Sequence, residues 1–155
     1  MLFLNLILKG QDKMYIISPA EASIIFRVLV AAVLGILIGL QRERRKLLDK
    51  KPGVAGLRTH TLICVGAALI SAGGSILYAG NVLFLAGSIM TGIGFIGAGS
   101  VIASQGKLRG LVNAASIWVT GTIGVTCGLG LYASAVVASI VTLAILELKR
   151  FEKID

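Results

Sequence analysis

The sequence predicts an all-α membrane protein of five transmembrane helices, N-terminus outside and C-terminus cytoplasmic, and three observations carry that prediction. Hydrophobic residues make up 56% of the 155-residue chain and charged residues 14%, against roughly 45–50% and 25% in soluble domains, so a soluble monomer could not hide its apolar surface. The apolar residues gather into stretches that approach the ~20 residues a membrane helix needs. The 20 glycines fall mainly in and around those stretches rather than in polar linkers, which suits close-packed membrane helices. The length fits one domain, read as an N-terminal extension (1–20), a membrane domain (21–150) and a cytoplasmic tail (151–155).

The spans follow in order. The first runs from about Ala22 to Leu40 and is followed by a polar loop, Gln41–Leu57; the second starts just after Arg58 and ends near Tyr78. The third spans Val82 to Ala103, and a polar break at Ser104–Arg109 separates it from an apolar region, Leu111 to Leu148, that is too long for one span. Gly128-Leu129-Gly130 is the turn within that region, dividing it into helices at about 111–127 and 131–148. Ahead of the first span, Met1–Leu8 is apolar but short, with no basic n-region and no small-residue cleavage site, so it does not read as a signal peptide. Met14 is an alternative start; residues 1–13 are then a spurious extension, or else a frayed interfacial segment.

Net charge is +8 and the isoelectric point near 9.9. In a soluble protein this would suggest nucleic acid, but here the bases sit in the gaps between apolar runs, which the positive-inside rule explains. If five helices alternate, Arg42, Arg44, Arg45, Lys46, Lys50, Lys51, Arg58, Lys107, Arg109, Lys149, Arg150 and Lys153 all fall on one side, against Lys9 and Lys13 on the other. That asymmetry sets the orientation, and Tyr78 and Tyr132 then land at the outer interface, where amphipathic rings are favoured.

Candidate functional residues are the polar groups that a bilayer penalises. Arg27 lies about five residues inside the first span, placed either to snorkel outward or to serve a function. Asn113, Ser116 and Thr120 form one polar stripe on the fourth helix, read first as interhelical hydrogen-bonding glue. Trp118 stands about seven residues in, deep enough for its indole N–H to need a protein partner. Glu43 interrupts the basic run Arg42–Lys46 and is expected to pair with Arg58 or another arginine, while Thr59 could cap the second helix and His60 sit at the interface. Glu43, Arg44, Arg58 and Thr59, with Asn113 nearby, are therefore expected to form one polar cluster at the cytoplasmic mouth. The alternative is a topogenic anchor for anionic lipid.

Glycines supply the other pattern. Gly35 and Gly39 make a GxxxG pair, Gly124 and Gly128 another, and Gly92, Gly94, Gly97 and Gly99 notch the third helix for close packing within or between subunits. Gly92-Ile93-Gly94-Phe95-Ile96-Gly97 formally matches GxGxxG, but no strand precedes it and no acid follows at the required spacing, which excludes a dinucleotide site. Cys64 and Cys127 lie in apolar runs with no base poised beside them, no GxSxG elbow occurs, and no two carboxylates lie within the spans. An enzyme, a resident metal and a cofactor are not expected.

The series Arg27, Gly35, Gly39, Glu43-Arg44, then Gly56-Leu57-Arg58-Thr59-His60, Gly92-Ile93-Gly94-Phe95-Ile96-Gly97-Ala98-Gly99, and Arg109-Gly110-Leu111 with Ala114-Ala115-Ser116-Ile117-Trp118 and Gly124 to Gly128 resembles the MgtC/SapB family of bacterial inner-membrane proteins. The resemblance covers about residues 22–150. It implies a multi-pass plasma-membrane protein whose relatives are tied to growth at low magnesium, to virulence inside host cells and to inhibition of the rotary ATP synthase. The ACT-like domain that follows the membrane region in some members is not expected in this chain. Asn113 stands where the family often has threonine, keeping a hydrogen-bonding side chain. The leading expectation is a regulatory, homo-oligomeric interaction protein; the alternative is a small transporter or channel, with Mg²⁺ as the candidate ion. All seven acids lie outside the apolar cores, which disfavours cation conduction.

Overall fold

The computed structural model describes residues 17–48, 55–77, 81–103 and 108–148. The expectations for residues 1–16, for Lys50, Lys51 and Lys107, for the Arg109 side chain, for Tyr78 and for the tail lie outside the described residues. Among the described residues five helices follow one another: α1 (Pro19–Leu48), α2 (Leu57–Leu77), α3 (Val82–Ala103), α4 (Leu108–Gly128) and α5 (Tyr132–Glu147). Among the described residues there is no strand. Of these five described helices, four are long and apolar enough to cross a membrane, and α5 is a shorter apolar helix.

Local chemistry sets the helix ends. Ser18 caps α1, its Oγ accepting the Glu21 N–H at 3.2 Å while Glu21 Oε2 accepts the Ser18 N–H at 2.7 Å. Two otherwise orphaned donors are thus satisfied reciprocally, and Pro19 occupies the first helical position, where its missing N–H costs nothing. The expected loop Gln41–Leu57 is shorter than its composition suggested, because α1 continues to Leu48. Gln41-Arg42-Glu43-Arg44-Arg45-Lys46-Leu47-Leu48 contains only good helix formers and no glycine or proline. Bonds from Gln41 and Arg45 to Glu147 on α5 hold this extension.

The turn expected at Gly128-Leu129-Gly130 closes α4 as a Schellman motif. Leu131 N–H donates to Thr126 O at 3.0 Å and Gly130 N–H to Cys127 O at 2.9 Å, with Gly130 at φ +83°. A side chain is strained in that left-handed conformation, so glycine belongs there. The Gly128 carbonyl left over takes Arg27 Nη1 at 2.6 Å, and the same nitrogen donates to Ser75 Oγ at 3.2 Å. Arg27 therefore does not snorkel. It ties α1 to the ends of α2 and α4, with a cation placed at the negative end of the α4 dipole. Arg27→Leu is expected to cost about 2 kcal/mol by removing a charge-assisted bond and orphaning a carbonyl, read as a fall in thermal unfolding temperature that Arg27→Lys partly restores.

α2 is central, packed chiefly on α1 and α4, while α3 leans mainly on α4 and α5 rests on α4 and α1. One stripe of α1, Ala31, Leu34, Gly35, Ile38, Gly39 and Arg42, is buried. Its apolar members pack against Cys64 and Ala68 of α2, Ile123 and Cys127 of α4 and Ala135 of α5. Glycine makes the approach close: a Cβ on Gly35 would stand 2.8 Å from Cys64 Cβ, and one on Gly39 2.8 Å from Leu57 Cα. Gly124 and Gly128 lie equally tight on the α2 backbone at Cys64 and Ala68. The outside is apolar as well, with Phe95 84% exposed, as a lipid-facing surface requires.

Candidate functional site

The basic end of the bundle is built where the C-terminal part of α1 meets the start of α2 and the first turns of α4. Glu43 caps α2 from a neighbouring helix: its Oε2 accepts the Leu57 N–H at 3.3 Å and its Oε1 accepts from Lys46 Nζ at 3.2 Å. The partner is thus Lys46 rather than the expected arginine. Gly56 lies directly beneath this carboxylate, and any Cβ there would collide with it. Thr59, expected as the cap, sits within the first turn of α2 and is half-buried; Arg58 is exposed beside it. Arg44 is exposed on another side of α1, where with Leu40, Gln41, Arg45, Leu143 and Glu147 it lines a groove of about 650 Å³ against α5.

Arg42, expected as a topogenic charge, is buried at 8% exposure and donates from Nη2 to Oδ1 of Asn113, itself 1% exposed. The expected cluster therefore divides. Asn113 is reached through Arg42, while Glu43 and Lys46 gather over the α2 N-terminus, where the charge of Arg58 also acts on Glu43. Arg42 is the functional candidate that charge counting missed. Helical phase points to it, because it continues the buried stripe four residues after Ile38 and three after Gly39.

Below Asn113 the polar groups of α4 turn inward. Ser116 Oγ donates to Asn113 O at 2.9 Å and lies 3.1 Å from His60 Nε2, and His60 Nδ1 is 2.9 Å from Gly56 O. His60 is thus a fully buried bridge between α2 and α4 rather than an interface residue. Thr120 Oγ1 donates to the Ser116 carbonyl oxygen at 2.7 Å. The stripe Asn113–Ser116–Thr120 is buried against its own bundle. Trp118, in contrast, is 48% exposed on the outer surface, so its indole does not meet the buried protein partner expected of it. Tyr132 stands edge-on to Phe26, ring centroids 5.6 Å apart.

The notched helix divides too. Gly97 faces Ala114 of α4, 3.5 Å from the position of an added Cβ, whereas Gly92, Gly94 and Gly99 face open space. Among the described residues no group of three or more His, Cys, Asp or Glu side chains is arranged to hold a metal ion. Cys64 and Cys127 are buried free thiols.

Comparison with known proteins is consistent across most of the chain. The MgtC family model matches residues 28–153. The protein named MgtC from Salmonella typhimurium strain LT2 is 38% identical over 119 residues, covering 77% of this chain and 49% of the relative. Protein MgtC of Brucella abortus is 40% identical over 121 residues, covering 77% and 48%. A putative magnesium transporter of Escherichia coli K12, YhiD, is 37% identical over 135 residues, covering 81% and 60%. The chain spans about half the length of the MgtC proteins it matches. No solved structure matches.

Proposed function

Because the chain belongs to the MgtC family, we propose that it is a regulatory protein of the bacterial inner membrane. It acts in magnesium-limited growth or membrane energetics by docking on another membrane complex, for which the rotary ATP synthase is the candidate. One observation carries the reading: the hydroxyl and imidazole side chains buried in the bundle are hydrogen-bonded within it, mostly to helix carbonyls, and the described acids, Glu21, Glu43 and Glu147, all stand near helix ends. A Mg²⁺ path needs a succession of oxygen ligands, usually with one or two carboxylates. The outward glycines of α3 suit a second helix, and self-association through that face is part of the proposal.

The name of the Escherichia coli relative supports a second reading, magnesium transport. Reconstitution into vesicles loaded with a Mg²⁺-sensitive dye separates the two. The expected Mg²⁺ entry equals that of protein-free vesicles, and protein-dependent entry would replace regulation with transport. The proposed orientation carries its own expectation: reporter fusions after Lys50 and after Ser104 both read cytoplasmic, and a periplasmic signal at either would overturn it.

A further inference from the structure

We propose that Arg42 and Asn113 form a binding site for a phosphate group, either inorganic phosphate or the headgroup of an anionic phospholipid. The assignment deepens the regulatory reading of the basic end and rests on it, since the bound anion would be the input that this end senses.

Arginine is almost never fully buried without a carboxylate or several acceptors around it, because a desolvated cation is costly. Arg42 is more than nine-tenths buried and makes one hydrogen bond, to a neutral amide oxygen. Its Nε is buried with no acceptor, and so is Asn113 Nδ2. The described acids at this end are engaged elsewhere, Glu43 with Lys46 and Leu57 N–H, and Glu147 with Arg45 and Gln41. Among the described residues the site is therefore short of acceptors, and its positive charge has no carboxylate partner.

The geometry selects an oxyanion. Nε and Nη2 share one edge of the planar guanidinium, the edge that takes two oxygens of a phosphate or carboxylate side-on. Asn113 Nδ2, on the amide that Nη2 already touches, offers a third donor, and an anion with several oxygens meets all of them. Arg44, Arg45, Lys46 and Arg58 around this end raise the local concentration of anions. Arg42 also stands two residues past Leu40, the end of the apolar run, so a headgroup phosphate at the bilayer surface lies at the same level.

The test is thermal unfolding of the intact chain in a phosphate-free maltoside detergent, at constant ionic strength. One arm adds inorganic phosphate, another short-chain phosphatidylglycerol, and a control adds a phosphate-free galactolipid. At a hundredfold excess over the dissociation constant, the expected rise is about 5–10 °C. A response to phosphate assigns the free ion, a response to phosphatidylglycerol alone assigns the headgroup, and the galactolipid stays silent in both cases. Arg42→Gln is expected to lose the response. Asn113→Asp places a carboxylate beside the guanidinium, so without any anion it unfolds above the wild type and gains nothing from phosphate. Silence of the wild type to both probes overturns the proposal, as does an unchanged response in Arg42→Gln or an Asn113→Asp no more stable than wild type. Each of these failures leaves the vesicle flux result untouched, so the site and the regulatory reading fail separately.

Discussion

Gly124→Leu and Gly39→Leu are expected to leave little folded protein, whereas Gly94→Leu keeps the fold and changes only assembly. At Gly124 an added Cβ falls on the Cys64 carbonyl oxygen, and at Gly39 it presses on the Leu57 backbone. Neither neighbour can rotate aside. Overfilling a packed core costs about 1–3 kcal/mol for added methylenes, and a leucine adds a whole branched side chain against a backbone. Such a cost consumes much of a stability of about 5–15 kcal/mol. Gly94 meets nothing within 4 Å in its own chain, so leucine there can disturb only a neighbouring molecule. Gly97 lies between these cases, with Ala114 at ordinary contact distance, and Ile89→Leu is the neutral control. Size-exclusion profiles together with unfolding temperatures check the set. A folded Gly124→Leu with wild-type stability would refute the packing account, and an unaltered Gly94→Leu oligomer would refute the α3 interface.

Glu43→Gln should abolish function in a complementation assay of growth at low magnesium while insertion and yield stay normal. Topology needs only the positive charges of this segment, so a requirement for Glu43 separates a working site from an anchor. The carboxylate holds the α2 N-terminus through Leu57 N–H and accepts from Lys46. An anionic acceptor at a helix N-terminus contributes through both the hydrogen bond and the dipole, so its loss is expected to reset how α2 meets α1 without unfolding the bundle. Gly56→Ala should give the same phenotype, because its methyl group displaces that carboxylate. If Glu43→Gln complements fully and Arg58→Ala does too, the segment is a topogenic anchor and the site assignment fails.

Much of the fold was legible because membrane helices are written in composition. Val82–Ala103 is bounded as read, and the remaining helices differ by a few residues except at the ends of α1. Those ends are set by short-range chemistry that an apolar window ignores. Ser18-Pro19-Ala20-Glu21 is a capping box that starts α1 before the apolar run, and the charged segment after Leu40 is helical because its residues favour helix whatever their polarity. The candidate site was legible in part. Asn113 and Glu43 stood out as polar groups with a task, but Arg42 was absorbed into a count of positive charges. Its phase on the buried stripe of α1 was the available signal. Its pairing with Asn113, 71 residues away, depends on how α1 meets α4, which no local pattern in one sequence encodes. Likewise Arg27 finds its acceptor across 101 residues, through a turn whose geometry only Gly130 announces.

The brevity of α5 has a consequence for the surrounding lipid. Its 16 residues rise about 24 Å at 1.5 Å per residue, against a hydrocarbon layer of about 30 Å. It cannot tilt to fill that gap, since tilting shortens the span further. Its basic-end terminus is also pinned to α1, where Glu147 accepts from Arg45 and Gln41. If α5 crosses the bilayer, as proposed, the shortfall is met by thinning of the bilayer or snorkelling of flanking side chains along the α5 edge, at a cost of a fraction of a kcal/mol per ångström. Where the bilayer thins, two molecules that turned these edges toward each other would share a single thinned annulus, a contribution of the membrane to the proposed self-association that needs no contact between their side chains.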